Sequence, residues 1–508
     1  MIFLMPSAMK FLSRHRVLFA SFIMIWIVGM VITVSLIGHT GEAKVGYMDN
    51  LLGHSVPLHN GLPPMDSFKM MKPVKYCNPH DSVPIGQEGK VQGNLTLETV
   101  VVLIRHGERM PLRQVRDGFQ LSCGDKITLG NPIIKKYFTT IRKYHQLHSQ
   151  KQTIFSSFAT HPNLGACPMG HLTWSGVLQH IQLGSALSRI YNGNLWRLLP
   201  EGWSADSVRF YSTVFSRTYQ SALAFLYGFL PAITLEKLRI IPSTDINFCF
   251  DGRCSCSQLR IYEKHLTRKT KRMLNNHPAV MRLLEEVNAI LKPTSNSSDI
   301  VAARPLMDVL MGFVCQGKTL PCLPGTRDCA NIDHVRNIMS YLDWEGRQLA
   351  DDSAFRKSSI LKTYSLLNEV HRRIRDTFEG RSGIRFLLFS GHDINLTPVS
   401  SALGFDDGVI PPYASRIVLE AYSSPRQGND RYLRVLYNGK DVTKHVTFCG
   451  GIKLAHKSGS SAVGDVALCP FRNFTNFLER DVPKLFSAQN FLAACGIDGA
   501  TSTTWRSS

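Results

Sequence analysis

No cysteine precedes Cys77 in this 508-residue chain, and carboxylates are scarce: 38 Asp and Glu stand against 58 Lys and Arg. The formal charge of +20 makes an acidic, cation-storing protein untenable and sets up a field that attracts anions such as phosphate esters, uronic or sulfated polysaccharides, anionic lipid or nucleic acid. No repeat at a solenoid period and no low-complexity tract occurs. With 44% hydrophobic and 19% charged residues, that excludes collagen, coiled coil and wholesale disorder. Neither HExxH nor a clean CxxC…CxxC set is present, so no metal site is expected.

Runs both long and apolar enough to span a bilayer are also missing, with one exception. Val17 to Gly38 is 22 residues without a charge, enough at about 1.5 Å per residue to cross a hydrocarbon core of ~30 Å. It exceeds the ~7–15 residues of a cleaved leader's apolar region. Lys10, Arg14 and Arg16 precede it, and Glu42, Lys44 and Asp49 follow, so the positive-inside rule keeps residues 1–16 cytoplasmic and sends the rest across. All twelve cysteines then sit in an oxidising compartment, where disulfides are the default and nucleic acid is an unlikely partner by topology. A leader cut near Ala43 would leave that compartment unchanged. Residues 39–76, rich in Gly, Pro and Met without periodicity, read as a stem.

Regular patterns begin near Leu95. Thr99–Ile104 (TVVVLI) has the continuous β-branched character of a strand buried on both faces of a parallel sheet. Val208–Ser212, Ile384–Phe389 and, more weakly, Tyr432–Tyr437 read as further strands. Thr173–Ile190 and Arg217–Phe229 read as helices, the first with Thr173 as N-cap. Strands interleaved with helices predict an α/β fold whose central, mostly parallel sheet is flanked by helices. Half of the cysteines and the basic stretch Tyr262–Lys292 fall between Leu235 and Asp343, which predicts an inserted, mainly helical, disulfide-containing cap. The expected organisation is a cytoplasmic 1–16, an anchor at 17–38, a stem at 39–76, a catalytic domain at 77–495 (core 95–235 and 344–495, cap 236–343) and a tail at 496–508.

Two motifs are decoys. Gly312–Thr319 matches GxxxxGK[ST], but a helical pattern precedes it and Pro321 follows at once, so no strand–loop–helix cradle is available for a nucleotide. Cys254 and Arg260 have the C-x5-R spacing of cysteine phosphatases, without a glycine to open an anion loop.

Arg105-His-Gly-Glu-Arg109-Met-Pro111 differs in kind, because it follows a buried strand directly and ligand sites of open parallel sheets lie beyond the carboxyl ends of strands. The second strand runs into Ser212-Thr213-Val-Phe-Ser-Arg217, and the third into Ser390-Gly-His392-Asp393. Three strand ends therefore offer Arg105, His106 and Arg109, then Arg217, then His392 and Asp393. Crowded guanidiniums repel one another unless an anion joins them, and their forks match phosphate oxygens. By itself this pattern predicts a phosphomonoesterase.

RHGxRxP, then Gly170-x-Leu-Thr-x-x-Gly-x-x-Gln179, then STxxxRTxxSA, then His392-Asp393, resembles the histidine acid phosphatases in motif and order, from Arg105 to Asp393. Glu108 is atypical of that pattern. The resemblance implies the histidine phosphatase fold, a phosphohistidine on His106, Asp393 as proton donor, and phosphate held by Arg105, Arg109, Arg217 and His392, without metal or cofactor. Finer features are Trp203–Asp206, Leu226–Pro231, the Cys249/Cys254/Cys256 spacing and Leu436–Thr443 ahead of Phe448-Cys449. With the anchor, they resemble the members that act on the phosphorylated glycan linkage region of proteoglycan core proteins. That implies removal of the 2-phosphate of xylose in the Golgi. A broad acid phosphatase and a catalytically inactive lumenal scaffold remain as alternatives. Sequons at Asn94, Asn296 and Asn473 are candidate glycosylation sites; Asn395, two residues beyond Asp393, is expected to be bare because a glycan would crowd the pocket. The sequence specifies no oligomeric state.

Overall fold

The structure is a computed structural model. It describes residues 67–82, 86–91, 95–124, 129–149, 153–164, 167–230, 232–235, 239–250, 256–292, 302–424, 430–449 and 467–497. The expected anchor at 17–38, residues 39–66 of the expected stem, the sequons at Asn94 and Asn296, and all but the start of the tail lie outside them. Among the described residues no helix is long and apolar enough to cross a membrane.

The centre is a mixed sheet of strands β1 (Thr96–Arg105), β2 (Val208–Thr213), β3 (Ile240–Ser243), β4 (Phe386–Gly391), β5 (Arg416–Ser424), β6 (Asp430–Tyr437), β7 (Lys440–Asp441) and β8 (Cys469–Pro470), in the order β3-β2-β4-β1-β5-β6-β7 with β8 against β6. The half that carries the site is parallel: β4 lies between β2 and β1, with Ser390 opposite Ser212 on one side and Ile104 on the other. The other half is antiparallel, from the β1–β5 pair outward. Strand alternation feeds two cores. Val100, Val102, Ile104, Phe386 and Leu388 face helices α3 (Trp174–Tyr191) and α4 (Ser216–Phe229), while Val101, Leu103, Leu387 and Phe389 face α9 (Ser353–Phe378) and α10 (Asp393–Leu403). Truncating a fully buried ring such as Phe386 to alanine costs about 3–5 kcal/mol.

The cap has its own apolar core, built from α6 (Pro278–Leu291), α7 (Ala303–Cys315) and α8 (Ile332–Ala350) around Leu284, Leu306, Leu310, Phe313 and Ile338. The basic stretch Tyr262–Lys292 is two helices, α5 (Ser257–Asn275) and α6, because Pro278 starts a new helix after His277. Three sequence expectations are corrected. The cap boundary at 236 falls too early, since β3 pairs in parallel with β2 in the central sheet. The stem does not run to 76: Ser67–Cys77 is a helix, α1, whose Tyr76 and Cys77 are buried in the cap core. The C-terminal half of the sheet is antiparallel, because five residues between β5 and β6 are too few for a parallel crossover. Disulfides join Cys77 to Cys315, Cys123 to Cys167, Cys256 to Cys495, Cys322 to Cys329 and Cys449 to Cys469. The GxxxxGK[ST] decoy lies on the last turn of α7 and the loop after it, and Cys315 within it is bonded to Cys77.

Candidate active site

Three parallel strands end side by side, and each hands one cluster to the same place. β1 ends in Arg105 with His106 next, β2 runs into α4 with Arg217 as its second residue, and β4 runs into α10 with His392 as N-cap and Asp393 as first residue. The amino termini of α4 and α10 both open here, and their unsatisfied amides and dipoles favour an anion.

Backbone contact explains the motif glycines. A Cβ on Gly107 would meet the Gly176 carbonyl oxygen at 2.5 Å, and one on Gly176 would meet the Glu108 oxygen at 2.4 Å. The loop after β1 thus lies directly on α3. Gln179 Oε1 accepts the Glu108 amide at 2.8 Å, Ser221 Oγ accepts the Gly107 amide at 3.1 Å, and the N-cap Thr173 donates to Glu108 Oε1 at 3.0 Å. The atypical Glu108 is therefore a buried partner of Thr173.

The His106 ring is 2% exposed and lies 5.5 Å from His392, centroid to centroid. Its Nδ1 is 2.8 Å from the Gly107 carbonyl oxygen, which only accepts, so the proton sits on Nδ1 and Nε2 keeps its lone pair. Burial, and then the Arg217, Arg105 and Arg109 guanidiniums, hold His106 well below the usual imidazole range. Burial and Arg217 likewise pull His392 down to about 3. His392 Nε2 is 3.0 Å from Thr213 Oγ1, and Arg217 Nη2 approaches its Nδ1 at 3.5 Å.

Arg105 and Arg109 are buried and Arg217 is half-buried, and all three are only partly satisfied. Arg109 pairs with Asp308 at 2.8 Å and donates to the Met110 carbonyl. Arg105 donates to the Pro411 carbonyl and, at 3.0 Å, to the Tyr76 hydroxyl. Arg217 lies over the Phe215 ring at 4.6 Å, and burial followed by Arg109 brings it down to about 10. The Nε atoms of all three are buried and have no hydrogen-bond partner among the described residues. Three neighbouring guanidiniums, two buried and one half-buried, with unsatisfied Nε donors favour an oxyanion beside them. Burial would raise the Asp393 carboxyl, but Arg105, Arg304 and Arg109 together hold it below the usual carboxylate range.

Every residue that the sequence assigned to catalysis or phosphate binding meets here. The sequons fare differently. Asn395 is buried, with Oδ1 accepting the His392 amide at 2.7 Å and Nδ2 donating to the Ile246 carbonyl, so the folded chain has no room for a glycan there. Asn473 is half-buried and donates from Nδ2 to the Phe448 carbonyl at 2.9 Å. Sequence reasoning missed Tyr76, Tyr413, Asp308 and Arg304. They lie on α1, on the loop before β5 and on the cap, far from the strand-end motifs, and no local pattern marks them.

Residues 96–301 and 361–438 match the family described as the histidine phosphatase superfamily, branch 2. The chain belongs to this family. It is a phosphatase, and its sheet and cap are the histidine phosphatase fold. Relatives include 2-phosphoxylose phosphatase 1 of Homo sapiens, 31% identical over 84% of this chain and 86% of that protein, and its Xenopus tropicalis counterpart, 30% identical over 83% and 81%. Among solved structures, the Bifidobacterium longum multiple inositol polyphosphate phosphatase with inositol hexasulfate aligns at a TM-score of 0.50 and 13% identity, covering 77% of this histidine phosphatase and 94% of that chain. That likeness is one of fold.

Proposed function

We propose that this phosphatase removes the 2-phosphate of xylose in the glycosaminoglycan–protein linkage region, through a phosphohistidine on His106. The chemistry rests on one observation above all: a buried, neutral His106 with its Nε2 lone pair free, facing three arginines whose Nε donors are unsatisfied. The choice of sugar rests on the 2-phosphoxylose phosphatase relatives, at 30 and 31% identity over more than four-fifths of each chain.

In the first step the Nε2 lone pair forms a bond to phosphorus while the bond from phosphorus to the sugar oxygen breaks. Arg105, Arg109, Arg217 and His392 hold the equatorial oxygens, and Asp393 delivers a proton to the departing oxygen. In the second step water attacks phosphorus, its proton passes to Asp393, and the N–P electron pair returns to Nε2. The guanidiniums supply the positive charge that stabilises the transition state. The uncharged run at 17–38 supports a single-pass, type II placement in the Golgi membrane with the catalytic domain lumenal; protease protection of an N-terminal against a C-terminal epitope tests it.

The deciding experiment compares kcat/KM for a 2-phosphoxylosyl linkage oligosaccharide and an aryl phosphate, across about pH 5 to 7. A preference of roughly 10³, about 4 kcal/mol of differential transition-state binding, is the expected result. Equal values would make the enzyme a broad acid phosphatase. Turnover of neither would leave a lumenal scaffold.

A further inference from the structure

Two segments outside the family match, 96–301 and 361–438, reach the phosphate cage. One is α1, the last helix before the catalytic sheet. The other is α7 of the cap. The Cys77–Cys315 disulfide joins the carboxyl end of one to the carboxyl end of the other.

Each touches one arginine of the RHGxR loop. From α1, the Tyr76 hydroxyl accepts from Arg105 Nη2 at 3.0 Å, and its ring lies 5.2 Å from the Arg105 guanidinium. Tyr413 lies 4.5 Å from the same guanidinium and 6.0 Å from the His106 ring. The two tyrosines are tied to each other as well. Their rings are 5.1 Å apart, the Tyr413 amide donates to the Tyr76 carbonyl at 3.1 Å, and Asn78 Nδ2 donates to the Tyr413 carbonyl at 2.6 Å. Gln179, which fixes the loop after β1, also donates to the Cys77 and Asn78 carbonyls at 2.7 and 2.8 Å. From α7, Asp308 takes Arg109 on Oδ1 and the Leu112 amide on Oδ2, both at 2.8 Å, and a Cβ on Gly312 would strike Pro111 at 2.6 Å.

Arg105 needs such support. It is 1% exposed, and among the described residues its side chain donates to the Pro411 carbonyl and the Tyr76 hydroxyl. A guanidinium so deeply desolvated keeps one orientation only while its donors and both faces are engaged. We infer that Tyr76 is a positioning residue of the phosphatase reaction: carried by α1 and stapled to the cap through Cys77–Cys315, it sets the direction in which Arg105 presents its remaining donors to the phosphate. The helix that ends the membrane-proximal segment is thus part of the active site.

The test uses the full chain and an aryl phosphate, so its result is independent of which sugar ester the enzyme prefers. Tyr76→Phe keeps the ring and deletes the hydroxyl. The expected result is a kcat about ten- to thirtyfold lower, the scale of a hydrogen bond to a charged group, together with a roughly tenfold weaker inhibition by inorganic phosphate and an unchanged melting temperature. A purely structural Tyr76 would lower the melting temperature and leave kcat and phosphate inhibition of the folded fraction alone; that outcome, or both constants within twofold of the parent, overturns the proposal. Should Tyr76→Phe fail to accumulate, the paired Cys77→Ser/Cys315→Ser variant keeps Tyr76 and frees α1. It is expected to weaken phosphate inhibition several-fold, and unchanged inhibition in that variant would equally overturn the assignment.

Discussion

His106 Nδ1 lies 2.8 Å from the carbonyl oxygen of Gly107, the residue that follows it, and this contact decides which ring nitrogen can react. A carbonyl cannot donate, so the ring turns its protonated edge to its own backbone and its lone pair to the pocket. The second requirement, a neutral ring at acidic pH, is met by burial and three neighbouring guanidiniums.

His106→Ala is expected to lose at least about 10² in kcat/KM, the scale of a positioned catalytic group, with every substrate. Asp393→Asn is expected to lose as much with a sugar phosphate and clearly less with an aryl phosphate, whose leaving group departs without a proton. Leaving-group dependence of the two variants, with acid-quench trapping of labelled phosphate on the parent, checks this. Equal losses for both esters in Asp393→Asn would remove Asp393 from the proton-donor role.

The pH profile follows from proton counting. The step needs one proton shared between Asp393 and the substrate phosphate. Asp393 is held below the usual carboxylate range by Arg105, Arg304 and Arg109, so the free enzyme carries it ionised and the proton arrives on the phosphate. The kcat/KM profile should be flat between the Asp393 pKa and the phosphate's second pKa near about 6, falling on either side. Arg304→Gln removes an exposed charge of the cap and lets Asp393 rise. The acid limb is expected to move up by about 0.2–0.7 pH unit, the scale of an exposed charge interaction, while the alkaline limb, which belongs to the substrate, stays. A fixed acid limb would mean that Arg304 does not act on Asp393.

The strand-end residues were legible because each consists of a local signal: a buried apolar run followed at once by polar residues. Arg105, Arg217 and His392 are three such endings, and parallel pairing of β2, β4 and β1 brings them together whatever the cap does. What supports them was not legible. Tyr76 reaches Arg105 across 29 positions and Asp308 reaches Arg109 across the cap, through contacts that no periodicity encodes. The stem was read too long for the same reason. Its last helix carries Pro73 and little periodicity, and it is held by packing against α7 and by a disulfide rather than by its own pattern. Pairing of the cysteines likewise depends on contacts far apart in the chain, such as Cys256 with Cys495.

A buried charge network on the antiparallel half of the sheet should matter for stability and not for turnover. Glu88 pairs with Arg416, accepting from its Nε at 2.8 Å, and also accepts the Gly86 amide. Glu420 meets Arg434 at 2.9 Å and the Tyr191 hydroxyl at 2.6 Å. These contacts fasten residues 86–91 to β5 and β6. Glu88→Ala leaves the Arg416 guanidinium buried without its carboxylate, which costs about 3–5 kcal/mol. Denaturant unfolding is expected to show that loss, with kcat per folded molecule unchanged. A cost below about 1 kcal/mol would mean that water reaches Arg416.

Acid should weaken the empty fold even though the chemistry favours acid. Burial first, aided by neighbouring arginines at His106, His392 and His371, lowers four buried histidines: His106 well below the usual range, His180 and His392 to about 3, and His371 to about 4. Folded-state values lie below the unfolded value of about 6.5, so the unfolded chain binds more protons, and stability is full above 6.5 and declines as pH falls toward 4. Each such histidine costs about 2 kcal/mol between pH 6.5 and 5. His180 isolates the effect. It lies on α3 beneath the end of β1, fully buried beside the Arg105 backbone. His180→Leu is of similar volume and cannot be protonated, so its melting temperature should exceed the parent's at pH 5 by clearly more than at pH 7.5. Bound phosphate neutralises the arginine cluster and should raise the parent's acid stability through His106 and His392, leaving the His180→Leu increment in place. Parallel pH dependences for parent and variant would show that the folded chain takes up a proton at His180 as readily as the unfolded one, and the acid loss would then belong to the other three buried histidines.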